Sequence, residues 1–125
     1  MDPGTDSRRR MEIATNKTDQ VTVVSLKGAV DLYSSPDARK AILGSIKEGK
    51  PKLVLVDLAG VSYIDSSGVA TLVEGLQLAK EYKCEFYLVG LSAAAKEVFE
   101  LARLDKVFSI FASQQDAVDR FGSRK

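Results

Sequence analysis

From residue 20 onward the chain alternates between short apolar runs and segments with helical spacing, and this alternation constrains the fold more than anything else in it. The runs are QVTVVSLK (20–27), KLVLVDL (52–58), EFYLV (85–89) and VFSIF (107–111). Their length and their β-branched and aromatic content are those of buried strands. After Gly68, apolar residues recur at Val69, Leu72, Val73 and Leu76, the i, i+3, i+4, i+7 spacing of one helix face. Strand followed by helix, repeated, implies βαβ units with right-handed crossovers and a largely parallel sheet. A short strand at 11–15, a turn at 16–19 and the strand at 20–27, ended by Gly28, predict a hairpin that makes the sheet mixed. The fold class is therefore α/β: a mixed, mostly parallel sheet of four to five strands with about four helices. One domain covers 11–125, preceded by a disordered polar tail at 1–10.

The expected helices are 36–47, stopped by Gly49, Lys50 and Pro51; from the central loop to about Tyr82; 93 to about Arg103; and from Ser113 to about Phe121. Ala38, Ala41, Ile42 and Ile46 should be buried in the first, Val98, Leu101 and Ala102 in the third, and Ala117, Val118 and Phe121 in the last. Gly75 inside the second helix costs about 1 kcal/mol against Ala. Either close approach to a neighbouring strand or a tolerated surface position accounts for it.

Composition removes whole classes of function. The 125 residues contain no histidine and one cysteine, Cys84. A Ser-His-Asp triad, a histidine phosphocarrier and a histidine-bearing zinc site are excluded, and one thiol forms neither an internal disulfide nor a thiolate cluster. Neither phosphate-cradling glycine loop is present, so no cofactor is expected. A net charge of +1 gives no bulk attraction for nucleic acid, and no apolar run reaches membrane-spanning length. Cys84 is expected as a buried thiol in a reducing compartment, and the protein as cytoplasmic and not an enzyme.

Between the strand at 52–58 and the second helix lies Asp65-Ser66-Ser67-Gly68. Three of these residues can accept bonds from the free amides of a first helical turn. The same amides and the helix dipole favour an anion, so Ser66 offers a hydroxyl where an attached phosphate would be stabilised. Such strings most often only cap a helix. Asp31, after another strand, lies on the same predicted rim, where open sheets place their ligands and partners.

Three segments then identify a resemblance: Gly28-Ala29-Val30-Asp31, VDLAGVSYIDSSGVATLVEGL (56–76) and VGLSAAAKEVFELARLDKVF (89–108). In this order they resemble the STAS domain and, more closely, the bacterial anti-sigma factor antagonists, over about residues 11–121. The resemblance implies a partner switch. The unmodified antagonist binds an anti-sigma factor with serine kinase activity and frees the sigma factor, phosphorylation releases it, and a metal-dependent PP2C-type serine phosphatase resets it. It implies Ser66 as phosphoacceptor, within a partner-binding surface of Asp31, Tyr63, Asp65, Ser67, Gly68 and Val69. Arg103 stands where relatives more often carry a small residue, usually Gly. If the helix ends there in a left-handed turn, Arg is strained.

Two other functions compete. A soluble STAS subunit of a lipid or anion transport complex would co-purify with a transporter ATPase rather than a kinase-like one. A phosphoaspartate receiver would use Asp57, but the acidic pair and late lysine it needs are not convincingly placed.

Overall fold

The computed structural model describes residues 11–123, so the tail at 1–10 lies outside the described residues. The elements are β1 (Met11–Lys17), β2 (Val21–Val30), α1 (Ser35–Lys47), β3 (Leu53–Ile64), α2 (Ser66–Glu81), β4 (Glu85–Val89), α3 (Ala93–Leu101), a 3-10 turn (Leu104–Lys106), β5 (Ser109–Phe111) and α4 (Gln114–Gly122). The five strands form one sheet in chain order, β1 antiparallel to β2 and the others parallel. This is the mixed, mostly parallel α/β architecture that the alternation predicts.

The sheet separates two apolar layers. On one face Val24, Leu26, Val54, Val56, Phe86 and Leu88 pack under Ala38, Ile42 and Ile46 of α1, Leu72 and Ala79 of α2, and Ala95 and Phe99 of α3. On the other, Leu53, Leu55, Tyr87 and Val89 are covered by Ala117 of α4, with Phe121 against them. Leu53 to Val56 of β3 and Phe86 to Val89 of β4 are apolar and buried without a break because both faces of the sheet are covered there. Gly75 is the point of closest approach: a β-carbon there would lie 2.7 Å from Phe86 Cζ and 2.9 Å from Ile42 Cγ2. Of the two accounts of that glycine, close packing is the right one, against both a strand and α1.

Several boundaries differ from the sequence expectation. Gly28 does not end β2. With φ of 102° it forms an irregularity in the register, and the strand continues to Val30. β3 likewise runs past Leu58 to Ile64, its last residues paired with β2, while β4 pairs only with residues 53–57. Two long strands thus overhang the rest of the sheet and carry the Asp31 and Asp65 turns on their ends. β5 starts at Ser109 because residues 104–106 form the 3-10 turn, leaving Val107 exposed and Phe108 buried.

The burial expected of α3 is corrected. Val98, Leu101 and Ala102 are exposed, and the helix buries Ala95 and Phe99 instead. An aromatic contact fixes its rotation: Phe99 packs edge-on against Phe108 at 5.7 Å between ring centres. In α4, Val118 is exposed and only Ala117 is fully buried. Arg103 does occupy the left-handed region, at φ 64° and ψ 22°, between α3 and the 3-10 turn.

Candidate functional site

The site is built where β2 and β3 end side by side. Val30 and Ile64 are register partners, so the turns that follow them are neighbours on the rim. Asp31 opens the first turn: its Oδ1 accepts the backbone N–H groups of Tyr33 and Ser34, both at 3.0 Å. Such a local bond is why Asp favours turns. Ser34, placed to cap α1, makes no cap bond. Its hydroxyl donates to the Ala29 carbonyl at 2.7 Å and accepts from the Asp31 N–H at 2.9 Å, knitting the turn to β2.

Asp65 is the N-cap of α2. Its Oδ1 accepts the amides of Ser67 at 2.9 Å and Gly68 at 3.1 Å, while its Oδ2 accepts the Leu32 amide from the first turn at 3.1 Å. Its own N–H donates to the Val30 carbonyl at 3.2 Å. Of the three residues able to cap, only Asp65 does. The anion position at the helix start is therefore already filled by a carboxylate, which corrects the simple picture of amides awaiting a phosphate. A group added to Ser66 gains the helix dipole but meets amides in use and a negative neighbour.

Ser66 stands at the first position of α2, exposed, with no side-chain partner among the described residues. Tyr63 is exposed on the end of β3, and Asp31, Asp65 and Ser67 are half-buried around it. Gly68 does not face outward as the expected surface required. It is buried, and a β-carbon on it would sit 2.6 Å from the Val30 carbonyl oxygen and 2.7 Å from Ile64 Cγ1. Its contribution is to let α2 start close against β2. Val69 is half-buried and packs against the core. The rim thus gathers Asp31, Tyr63, Asp65, Ser66 and Ser67, and uses Gly68 and Val69 as support.

Sequence reasoning missed the apolar part of this surface. Leu32 and Tyr33, in the Asp31 turn, are 63% and 78% exposed. A groove of about 210 Å³ runs beside Tyr63, between residues 61–64 of β3 and Ala94, Ala95 and Val98 of α3. A large apolar pair directly after a strand-end Asp was the available signal. Asp57, the residue of the receiver reading, is engaged structurally: its carboxylate accepts from the Ala59 amide at 2.9 Å and from the Gln114 side chain. Among the described residues no group of three or more metal-ligating side chains occurs, and no helix is long and apolar enough to cross a membrane.

Comparison with known proteins places these features in context. The STAS domain family profile matches residues 12–117. An anti-sigma-B factor antagonist of Listeria monocytogenes serovar 1/2a is 31% identical over 102 residues, which is 80% of this chain and 86% of that protein. The crystal structure of an anti-sigma factor antagonist from Mycobacterium paratuberculosis superposes with a TM-score of 0.79 at 25% identity, covering 88% of this chain and 92% of that one. An anti-sigma-factor antagonist (STAS) domain protein from Planctomyces limnophilus gives 0.78 at 28% identity, over 89% and 98%.

Proposed function

This chain belongs to the STAS domain family, and from that premise we propose that it is an anti-sigma factor antagonist switched by phosphorylation of Ser66. The unmodified protein docks an anti-sigma factor that is also a serine kinase, through the rim of Asp31, Tyr63, Asp65 and Ser67, and so frees the sigma factor. Transfer of the ATP γ-phosphoryl group to Ser66 releases the antagonist, and a PP2C-type serine phosphatase restores it. The protein acts by binding and catalyses no reaction itself.

One observation carries the reading. The Ser66 hydroxyl is exposed at the start of α2, on a rim whose two turns are joined through Asp65. A phosphate there adds about −1.5 to −2 charges at neutral pH. The domain tolerates it, since Ser66 is an exposed residue. A docked partner would have to desolvate it beside the Asp65 carboxylate, whose capping bonds leave no free amide at Ser67 or Gly68 to compensate. A hundredfold loss of affinity needs only about 2.7 kcal/mol.

The test is a pull-down with native and Ser66→Asp baits, followed by ATP treatment of the captured complex. The native bait should retain a kinase-like ATPase, the acidic bait should shed it, and one phosphoryl group should appear on Ser66 and be absent from Ser66→Ala. A phosphate mapped to another residue, or a transporter ATPase held equally by both baits, sinks the reading.

A further inference from the structure

Leu32 and Tyr33 project from the Asp31 turn, 63% and 78% exposed, yet the turn that carries them is firmly held. Asp31 Oδ1 accepts two of its amides, Ser34 ties it to Ala29, and Asp65 Oδ2 accepts the Leu32 amide. An exposed tyrosine on a pre-ordered backbone is what binding hot spots are made of, because little conformational freedom is lost on docking. Resting on the Ser66 reading above, we infer that Leu32 and Tyr33 are the apolar anchor of the docking surface and that Asp65 is the positioning residue fixing this anchor relative to Ser66. The occupant is the anti-sigma factor kinase that phosphorylates Ser66. The carboxylates of Asp31 and Asp65 border the anchor, so the partner presents an apolar pocket edged by Lys or Arg side chains.

The division of the Asp65 carboxylate gives the arrangement a mechanical consequence. One oxygen holds the start of α2 and the other holds the anchor turn. With the two clamped together, the bulk of a group on Ser66 wedges Leu32 and Tyr33 out of their pocket even where basic side chains attract its charge. A slack turn would let the anchor stay docked while the helix start tilted away.

Asp65→Asn separates the two duties. Asparagine remains a good N-cap, but it has one acceptor oxygen where aspartate has two. Amide exchange on the full chain should show the Leu32 amide exchanging about tenfold faster in Asp65→Asn, with Ser67 and Gly68 still protected, and all three faster in Asp65→Ala. Tyr33→Ala, with its fold checked by the urea midpoint, should weaken binding of the anti-sigma factor kinase about tenfold, which is ~1.4 kcal/mol. In the Asp65→Asn background, Ser66→Asp should shed less partner than it does alone. An unchanged Leu32 amide in both Asp65 variants overturns the clamp, and native-like binding by Tyr33→Ala overturns the anchor. A native chain that captures no anti-sigma factor kinase refutes the Ser66 reading and the anchor with it, while exchange alone still decides the clamp.

Discussion

The α-carbon of Gly68 lies so close to β2 that a methyl group on it would stand 2.6 Å from the carbonyl oxygen of Val30. The first turn of α2 and the end of β2 are thereby set at one separation, the same separation that lets Asp65 reach the Leu32 amide. Gly68→Ala gains about 1 kcal/mol in helix propensity but forces a backbone collision that no rotamer change relieves. The expected result is a net loss of about 2 kcal/mol in urea unfolding, with faster exchange of the Leu32 amide. A variant of native stability would mean that α2 shifts freely.

Gly75 meets side chains rather than backbone, the Phe86 ring and Ile42. Overpacking typically costs about 1–3 kcal/mol, so Gly75→Ala should lose about 1 kcal/mol net of propensity. Truncating the ring makes room. In a Phe86→Leu background the same alanine should be neutral or stabilising, and a double-mutant cycle should show coupling of about 1 kcal/mol. Additive effects would disprove the contact.

Arg103 holds a left-handed backbone at φ 64° on an exposed corner. That conformation costs an L-residue about 1–2 kcal/mol, and glycine adopts it at about 0.5–1 kcal/mol of unfolded-state entropy. Arg103→Gly should therefore stabilise the protein by about 0.5–1 kcal/mol, read as a higher thermal midpoint. A lower midpoint would show that the guanidinium makes a compensating interaction.

Burial pushes the Cys84 thiol up from 9.0 to about 11, partly opposed by a backbone hydrogen bond at Val54 and reinforced by Glu85. The unfolded chain therefore gives up this proton first. Below pH 9 the stabilisation is complete; between about 9 and 11 the folded state holds more protons than the unfolded state, and stability falls by up to ~2–3 kcal/mol. Urea midpoints measured from pH 8 to 11 should drop more steeply for the native chain than for Cys84→Ala. Parallel slopes would remove Cys84 as the cause.

Ser66→Asp adds a carboxylate at an exposed position, favoured by the helix dipole and opposed by Asp65. These effects nearly cancel, so the unfolding free energy should change by no more than about 0.5 kcal/mol. Any loss of partner is then a surface effect. A drop above ~2 kcal/mol would instead mean that the added charge unseats the Asp65 cap.

What could be read along the chain was whatever depends on near neighbours. Short apolar runs rich in β-branched and aromatic residues located the strands, the 3.6-residue period located the helices, and Asp65-Ser66-Ser67-Gly68 was recognisable as a helix start because capping acts within four residues. The overhang of β3 was not legible, since Ala59, Gly60 and Ser62 break the apolar pattern and the segment is held by backbone pairing of Gly60, Val61, Tyr63 and Ile64 to β2. The rotation of α3 was also hidden. Its sequence offers two apolar stripes, and the choice of Ala95 and Phe99 over Val98 and Leu101 was made by Phe108, outside the helix.

By itself, then, the sequence determined the fold class, the order of elements and a serine at the start of the second helix, all set by local spacing and by burial of the apolar runs. The tertiary structure decided what surrounds that serine. The bond from Leu32 to Asp65 spans 33 residues, and it exists because parallel pairing brings Val30 and Ile64 side by side and Gly68 lets the helix come close. No pattern within either segment specifies that meeting, because only the assembled sheet sets the distance between them.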